Sequence, residues 1–343
     1  MMVTPSQTSL RPGRFPAITL FPLLAVILLS GCAGDDGSFP SEDNALPEMI
    51  PVPNLLYQVH ASFNSEDLAF RFGRGLVLGT CGALLTTEDP GNPPRSIPLT
   101  GELLSSPLGV AFGPSGDLYV CDSSGSDASV KRVSPTGDCE ILADGFGENN
   151  FSLPNYIALS RAGDLYLSST CDDMIYRISP EDGTVIEFLA VTGPNGIAFD
   201  EDETWLYITT ENPAIFCDGS WTPGGLYRVP LGESGEPGEL ETLIEGFSVA
   251  GDGLAFDGEG NLYVVFSGLH GYGFEGLFSS NIFVYTPDGR FDKFLEVSIP
   301  GDIITNIAFG VEPFDPFSLY AYGFTGRLYQ VEVGIRGLAL PGN

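Results

Sequence analysis

The feature that most constrains the fold of this chain is a pair of short apolar tripeptides that recurs six times. The first tripeptides are Leu68-Ala69-Phe70, Val110-Ala111-Phe112, Ile157-Ala158-Leu159, Ile197-Ala198-Phe199, Leu254-Ala255-Phe256 and Ile307-Ala308-Phe309. Each is followed after 8 to 12 residues by a second one, and the pairs recur every 40 to 57 residues. Repeats of this length that are rich in β-branched and aromatic residues are typical of propeller blades. The sequence predicts an all-β fold, a six-bladed β-propeller.

The second tripeptides are Leu76-Val77-Leu78, Leu118-Tyr119-Val120, Leu165-Tyr166-Leu167, Leu206-Tyr207-Ile208, Leu262-Tyr263-Val264 and Leu319-Tyr320-Ala321. Two further apolar or alternating runs follow them in most repeats, which predicts four-stranded blades. The last repeat lacks its fourth run, whereas residues 55–60 form a run with no blade of their own. We therefore expect this N-terminal strand to complete the sixth blade and to close the ring, which removes open sheet edges.

The amino terminus predicts export. An apolar stretch at 15–29 follows two arginines and is too short to span a bilayer as a stable helix. It ends in Leu-Ser-Gly before Cys32, which resembles the lipobox of bacterial lipoproteins. That resemblance implies cleavage before Cys32 and acyl chains on its thiol, which would anchor the chain to a bacterial membrane. An ordinary secretory signal or a retained anchor helix remain alternatives.

The predicted organisation has four parts: a leader at 1–31, a flexible acidic tether at 32–53, the propeller at 54–336 and a tail at 337–343. The tether is rich in Pro, Gly, Ser and acidic residues and has no apolar period. The formal net charge of −31 argues against binding to nucleic acid or to anionic lipid headgroups.

Five cysteines follow Cys32, and none forms a C-x-x-C pair, so zinc and redox motifs find no support. Cys81, Cys121, Cys171 and Cys217 all lie in predicted loops between second and third strands. Disulfides Cys81–Cys121 and Cys171–Cys217 are therefore compatible with the repeat, with Cys139 left as a free thiol. The sequence does not fix this connectivity.

The position two residues before each first tripeptide should lie at one mouth of the central channel, because the first strand of a blade lines that channel. These residues are Glu66, Leu108, Asn155, Asn195, Asp252 and Thr305. Four of the six carry carboxylate or amide oxygens, the ligands that Ca²⁺ prefers. Leu108 and Thr305 would leave room for an open coordination position. Alternatively, each polar residue only caps its own turn.

Four segments around these positions are similar to one known family. They are Pro194-Asn195-Gly196-Ile197-Ala198-Phe199, Gly251-Asp252-Gly253-Leu254-Ala255-Phe256-Asp257, Leu153-Pro154-Asn155 and Thr305-Asn306-Ile307-Ala308-Phe309-Gly310. They resemble the senescence-marker-protein/gluconolactonase/luciferin-regenerating-enzyme family of six-bladed propellers. This resemblance implies that Glu66, Asn155, Asn195 and Asp252 bind a divalent cation, usually Ca²⁺. It also implies hydrolysis of lactones or related esters, with Asp252 as the catalytic base or nucleophile.

The chain departs from the family pattern at two places. Glu66 is followed by Asp67 instead of opening a Glu-Gly-Pro-like turn, and Asn155 is followed by Tyr156 where the family commonly has Asp.

The loops between second and third strands should form the rim of the same mouth, where Trp221, His270 and Tyr272 could contact a small neutral lactone or ester substrate. The two histidines show no pattern of a serine-hydrolase triad. A different function stays open, because NHL-type repeats share the signals at 116–122. Such a propeller would be a non-catalytic extracellular binding scaffold. An enzyme of another reaction class on the same propeller is the third possibility.

Overall fold

The computed structural model describes residues 54–58, 65–80, 82–214, 216–217, 222–248, 250–268, 280–287, 291–295 and 302–341. The predicted leader and tether, including Cys32, lie outside these residues. Within the described ranges, no helix has the length and apolar character needed to cross a membrane.

The described residues form six sheets of four or five strands, which follow one another along the chain. A short strand β1 (Asn54–Gln58) precedes the first sheet. Blade 1 contains β2 (Leu68–Arg71), β3 (Gly75–Thr80), β4 (Ala83–Thr87) and β5 (Arg95–Ser96). Blade 2 contains β6 (Thr100–Gly101), β7 (Pro107–Phe112), β8 (Leu118–Asp122), β9 (Ser129–Val133) and β10 (Asp138–Ala143), and β6 pairs in parallel with β10.

A hairpin of β11 (Gly145–Phe146) and β12 (Asn149–Asn150) leads to the remaining blades. Blade 3 contains β13 (Pro154–Leu159), β14 (Leu165–Ser169), β15 (Met174–Ile178) and β16 (Val185–Ala190). Blade 4 contains β17 (Pro194–Phe199), β18 (Trp205–Thr210), β19 (Gly224–Pro230) and β20 (Glu241–Ser248). Blade 5 contains β21 (Ala250–Phe256), β22 (Leu262–Ser267), β23 (Ser280–Tyr285) and β24 (Phe291–Leu295). Blade 6 contains β25 (Ile304–Phe309), β26 (Ser318–Gly323) and β27 (Arg327–Glu332). Two 3₁₀ turns, Gly125–Asp127 and Thr170–Asp172, lie in the loops.

The N-terminal strand closes the ring, as the sequence predicts. Strand β1 pairs antiparallel with β27, so that the sixth sheet has the order β1-β27-β26-β25. The innermost strands contact one another in the order β2, β7, β13, β17, β21 and β25, and β25 contacts β2 again. These contacts confirm the six-bladed β-propeller, with the first tripeptide of every repeat on the innermost strand.

The repeated tripeptides also explain how neighbouring blades pack. The tyrosine of a second tripeptide meets the phenylalanine of the next blade's first tripeptide edge to face, with ring centroids 5.0–5.3 Å apart. The pairs are Tyr166–Phe199, Tyr207–Phe256, Tyr263–Phe309 and Tyr320–Phe70. Such a geometry contributes roughly 0.5–1.5 kcal/mol per pair beyond the buried area. The sequence period is therefore the period of the contacts between blades.

Candidate functional site

Irregular pairing in the innermost strands sets the direction of the predicted site residues. The register between first and second strands shifts between Pro154 and Tyr156, between Pro194 and Ile197, and between Gly251 and Leu254. Asn155, Asn195 and Asp252 lie within these three interruptions. A bulge frees a residue from the regular ladder and turns its side chain in a new direction.

Glycine follows two of these residues because the innermost strands approach one another closely there. A Cβ atom on Gly196 would lie 2.5 Å from the carbonyl oxygen of Asp252, on the neighbouring blade. A Cβ atom on Gly253 would collide with Asn306, one blade further. The Asn-Gly and Asp-Gly pairs in the sequence are thus requirements of the narrow end of the channel.

Asn195 and Asp252 form the centre of the candidate site. The side chains are 3% and 9% exposed, and the Asn195 amide donates a hydrogen bond to the Asp252 carboxylate. The other amide atom, Asn195 Oδ1, is buried and has no hydrogen-bond partner among the described residues. A buried oxygen without a partner is unfavourable by about 1–3 kcal/mol, whereas a bound cation or donor would satisfy it.

Asn155 is held from the neighbouring blade with its amide orientation fixed. Its Nδ2 donates to Thr170 Oγ1 at 3.2 Å and to Glu211 Oε1 at 3.4 Å. Thr170 in turn donates to the carbonyl oxygen of Pro194 at 2.8 Å, directly before Asn195. Since both amide hydrogens are engaged, Asn155 Oδ1 lies on the opposite side of the amide group. The Asn155 amide is therefore linked through Thr170 to the backbone directly before Asn195.

Three carboxylates in this region affect one another electrostatically. Burial, followed by the charges of Glu211 and Asp67, raises the pKa of Glu66 to about 8. Burial raises the pKa of Asp252 well above its usual value, with further contributions from Glu66 and Glu211. Burial likewise raises the pKa of Glu211 to about 8. Glu66 is the most exposed of the three, so the site opens to solvent on its side.

Glu211 is absent from the four residues that the sequence pattern selects, because it lies on the loop after a second strand and not ahead of a first one. The signal for it is its place directly after β18, where the loop 209–224 is expected at the same mouth. It is only 4% exposed despite its charge.

The residues fit a hard cation by their chemistry. Carboxylate and amide oxygens are the preferred ligands of Ca²⁺, and Asn195 Oδ1 is an oxygen that lacks a partner. Within the described ranges, no group of three or more His, Cys, Asp and Glu side chains meets the spacing of a metal centre. Two of the four predicted ligands are asparagines, which do not belong to these four residue types.

A second polar layer lies one step further along the innermost strands. Asp67 accepts hydrogen bonds from the backbone N–H groups of Leu68 and Val110, both at 2.6 Å, and from the Asn306 amide. The Tyr156 hydroxyl donates to Asn306 Oδ1 at 3.5 Å, across the ring from blade 3 to blade 6. Burial is the main reason why the pKa of Asp67 rises to about 7.

Below this layer the channel is apolar. A cavity of about 360 Å³ is lined by Tyr156, by the first tripeptides of all six blades and by residues 336–341. The residues that line it come after Glu66, Asn155, Asn195 and Asp252 on their strands, so the cavity lies on the far side of Tyr156. The Tyr156 side chain thus lies between the polar site and the apolar cavity.

The remaining sequence expectations have mixed outcomes. Cys171 and Cys217 form a disulfide, and Cys139 is a free thiol, both as expected. Cys121 is also a buried free thiol, so it does not form the disulfide with Cys81 that the repeat allowed; Cys81 itself lies outside the described residues. The three predicted rim residues, Trp221, His270 and Tyr272, also lie outside them.

The two remaining mouth positions carry no ligand for a cation. Leu108 is buried at the mouth end of β7. The Thr305 hydroxyl lies 3.2 Å from the carbonyl oxygen of Ser65 and 3.1 Å from that of Tyr322. The Thr305 hydroxyl therefore hydrogen-bonds to the backbone. The polar groups of the site come from blades 3 to 5 and from Glu66 of blade 1.

Comparison with known proteins places the chain in a family. The family model described as "SMP-30/Gluconolactonase/LRE-like region" matches residues 83–316, a range that includes Asn155, Asn195 and Asp252 but not Glu66. A gluconolactonase of Zymomonas mobilis subsp. mobilis is 26% identical over 226 residues. That match covers 59% of this chain and 57% of the relative, so it spans little more than half of the relative's length.

Solved structures agree on the fold. The calcium-binding protein regucalcin of Agrobacterium tumefaciens superposes with a TM-score of 0.64 at 18% identity, covering 85% of this chain and 97% of that one. A gluconolactonase of Xanthomonas campestris superposes with a TM-score of 0.59 at 17% identity, covering 82% of this chain and 91% of that one. Together with the family model, these findings show that the chain belongs to the SMP-30/gluconolactonase/LRE-like family.

Proposed function

We propose that this chain is a calcium-dependent hydrolase of lactones or related esters. The observation that carries the proposal is the pair Asn195 and Asp252, in which a buried amide oxygen without a partner lies beside a buried carboxylate. Membership of the family and the gluconolactonase relative support lactones as the substrate class.

Glu66, Asn155, Asn195 and Asp252 would hold the cation. When bound, a divalent cation supplies Lewis-acid polarisation of the substrate carbonyl and stabilises the oxyanion that develops on it. Asn195 holds the Asp252 carboxylate in place through its amide hydrogen bond. Tyr156 and Asn306 close the bottom of the site and separate it from the apolar cavity.

Asp252 is the proposed proton acceptor. It would take a proton from the water molecule whose oxygen adds to the lactone carbonyl carbon, or would attack that carbon directly. In the direct route the bond from the carbonyl carbon to the ring oxygen breaks as an acyl–Asp252 anhydride forms; the alkoxide takes a proton from water, and the resulting hydroxide hydrolyses the anhydride. In the water route, the bond from the carbonyl carbon to the ring oxygen breaks after the oxygen of water has added. Asp252 returns its proton to the departing alkoxide, and the product is a hydroxy acid.

The charge of the site favours a neutral substrate. Glu66, Glu211 and Asp252 all lie near the reacting position, and the four ion pairs among the described residues lie elsewhere. An anionic substrate would be repelled by these carboxylates, whereas a neutral lactone becomes an anion only after ring opening. The same repulsion would help release of the hydroxy acid product.

The proposal includes the location of the protein. The leader at 1–31 and the lipobox-like sequence before Cys32 support export and a diacylglycerol anchor on Cys32, with the bilayer as a partner through acyl chains. Expression in a bacterium with radiolabelled palmitate tests this part. Label in the wild type and none in Cys32→Ala is the expected result, and equal label in both would refute it.

The catalytic part is tested with the purified protein, a neutral lactone and a calcium titration by calorimetry. We expect calcium binding and lactone hydrolysis in the wild type, both lost in Asp252→Asn and both lost with a chelator. Glu241→Gln, an exposed acid on the outermost strand of blade 4, is the matched control and should change neither. If the wild type binds no calcium and opens no lactone, the hydrolase proposal is wrong and a binding scaffold is the better interpretation.

A further inference from the structure

We infer that Glu211 is a positioning residue of the cation site, which fixes the orientation of the Asn155 amide and adds a third negative charge beside the ligands. The inference rests on the proposed function, since it concerns the same cation. Nothing in the pattern of the first strands points to Glu211, because it comes from the loop after the second strand of blade 4.

The hydrogen bonds of Asn155 carry the first part of the inference. An amide side chain has two N–H hydrogens and one carbonyl oxygen that point in opposite directions. Thr170 Oγ1 and Glu211 Oε1 both accept from Asn155 Nδ2, at 3.2 and 3.4 Å. The Thr170 hydroxyl hydrogen is used on the Pro194 carbonyl oxygen, so Thr170 can only accept from Asn155. Without Glu211 the amide would keep one of its two acceptors, and rotation of the amide group would become easier.

Several contacts hold Glu211 in place. Its backbone N–H donates to the carbonyl oxygen of Gly193 at 2.8 Å, and its backbone forms an isolated bridge with Ala250 of the next blade. The Cys171–Cys217 disulfide then joins the loop that follows Thr170 to the loop that follows Glu211. Both acceptors of Asn155 are thus held on loops that a covalent bond ties together.

The charge of Glu211 carries the second part. A carboxylate that is 4% exposed needs compensation, yet Lys131, Arg132, Arg177 and Arg228, which form the ion pairs of the described residues, are paired with other acids. The hydrogen-bond donor to the Glu211 carboxyl is the neutral Asn155 amide. The charge of Glu211 acts on Glu66 and Asp252, the two carboxylates among the proposed cation ligands. A divalent cation between these groups would offset the repulsion, and the third negative charge would strengthen cation binding.

The unpartnered Asn195 Oδ1 is the independent sign that this acidic cluster faces a ligand. It is fully buried and belongs to the residue that donates to Asp252. The neighbouring carboxylate oxygens can only accept hydrogen bonds, so a donor or a cation would have to enter the site to satisfy it.

The experiment measures calcium affinity by calorimetry for the full chain and for four variants: Glu211→Gln, Glu211→Ala, Asn155→Ala and the double variant Glu211→Ala with Asn155→Ala. Glu211→Gln keeps the shape of the side chain and a carbonyl acceptor for Asn155 but removes the charge. We expect about tenfold weaker calcium binding, since loss of a unit charge a few ångströms from a divalent cation at the effective dielectric of a partly exposed site is an effect of this order.

Glu211→Ala also removes the acceptor and should weaken binding several-fold further. If Glu211 acts on Asn155, this extra loss should disappear in the Asn155→Ala background, which a merely destabilising substitution would not produce. Thermal unfolding and an intact disulfide, measured by mass, show that each variant is folded. If Glu211→Ala does not fold, the near-isosteric Glu211→Gln still tests whether the charge of Glu211 strengthens calcium binding. Asn155→Ala still tests whether the Asn155 amide contributes to calcium binding.

The outcomes separate the two proposals. Calcium binding in the wild type with equal affinity in Glu211→Gln and Glu211→Ala overturns the role of Glu211 and leaves the proposed function intact. No calcium binding in the wild type refutes the proposed function, and the role of Glu211 with it. If the losses of calcium affinity in Glu211→Ala and Asn155→Ala add up in the double variant, Glu211 does not position Asn155. In that case Glu211 acts on the cation only through its charge.

Discussion

Removal of divalent cations should make the stability of this propeller fall as the pH rises from about 4.5 to 8. The main contribution comes from Glu211, because it is almost fully buried and its hydrogen-bond donor, the Asn155 amide, is neutral. Burial raises the pKa of its carboxyl from 4.5 to about 8. In the unfolded chain the same carboxyl is exposed and ionises near its ordinary value.

The sign of the pH effect on stability depends on how many protons the folded and unfolded states bind. Between pH 4.5 and 8 the folded protein keeps a proton on Glu211 that the unfolded chain has already released. Stability therefore decreases with pH over this range, because the unfolded state binds fewer protons than the folded one. The contribution is fully present below about pH 4 and is lost as the pH passes through 8. Each pKa unit corresponds to about 1.4 kcal/mol, so Glu211 alone can account for a loss of about 5 kcal/mol.

The assay is urea unfolding in the presence of a chelator at several pH values between 4.5 and 8.5, for the wild type and for Glu211→Gln. Glutamine does not ionise, so the wild type should lose stability relative to this variant by several kcal/mol across the range. Glu241→Gln, on the surface of the same blade, should follow the wild-type curve. Added calcium should restore the wild type at pH 8 more than it restores Glu211→Gln.

A wild-type curve that runs parallel to that of Glu211→Gln at every pH would contradict this prediction, because it would mean that Glu211 ionises equally in the folded and unfolded states. A wild type that gains stability towards pH 8 without calcium would contradict the assignment of a buried, uncompensated carboxylate.

Three further predictions concern an ion pair, the disulfide and the ring-closing strand of the propeller. Lys131→Met should cost about 3–5 kcal/mol in denaturant unfolding, because it leaves Asp122 buried without its partner at 2.7 Å, and replacing both residues with apolar ones should restore most of the loss. Replacing Cys171 and Cys217 with serine should lower the unfolding free energy by at most about 4 kcal/mol for a separation of 46 residues, whereas equal stability would argue against the disulfide. Deleting 54–58 should lower the melting temperature and cause aggregation visible by light scattering, because it exposes the edge of β27; a monomeric, equally stable product would show that closure by β1 is dispensable.

The architecture of this propeller follows from its repeated apolar tripeptides. Apolar tripeptides with a nearly fixed spacing specify which residues line the channel and which pack between blades, since side chains alternate along a strand and each blade repeats the same contacts. The tyrosine and phenylalanine pairs illustrate this, because at four of the six blade boundaries the same repeat position meets the same position of the next blade. The same spacing selected Asn155, Asn195 and Asp252, which the structure brings to one end of the ring.

The hydrogen bonds between the polar groups of the site, in contrast, depend on the folded arrangement of the blades. Glu211 meets Asn155 although 56 residues separate them, and Asn306 meets Asp67 across 239 residues. Tyr156 reaches across the ring to the same Asn306. These contacts depend on bulges, on the length of each loop and on the closure of the ring. No local pattern records them, because each hydrogen bond joins residues of different blades whose relative positions are fixed only when all six blades pack together.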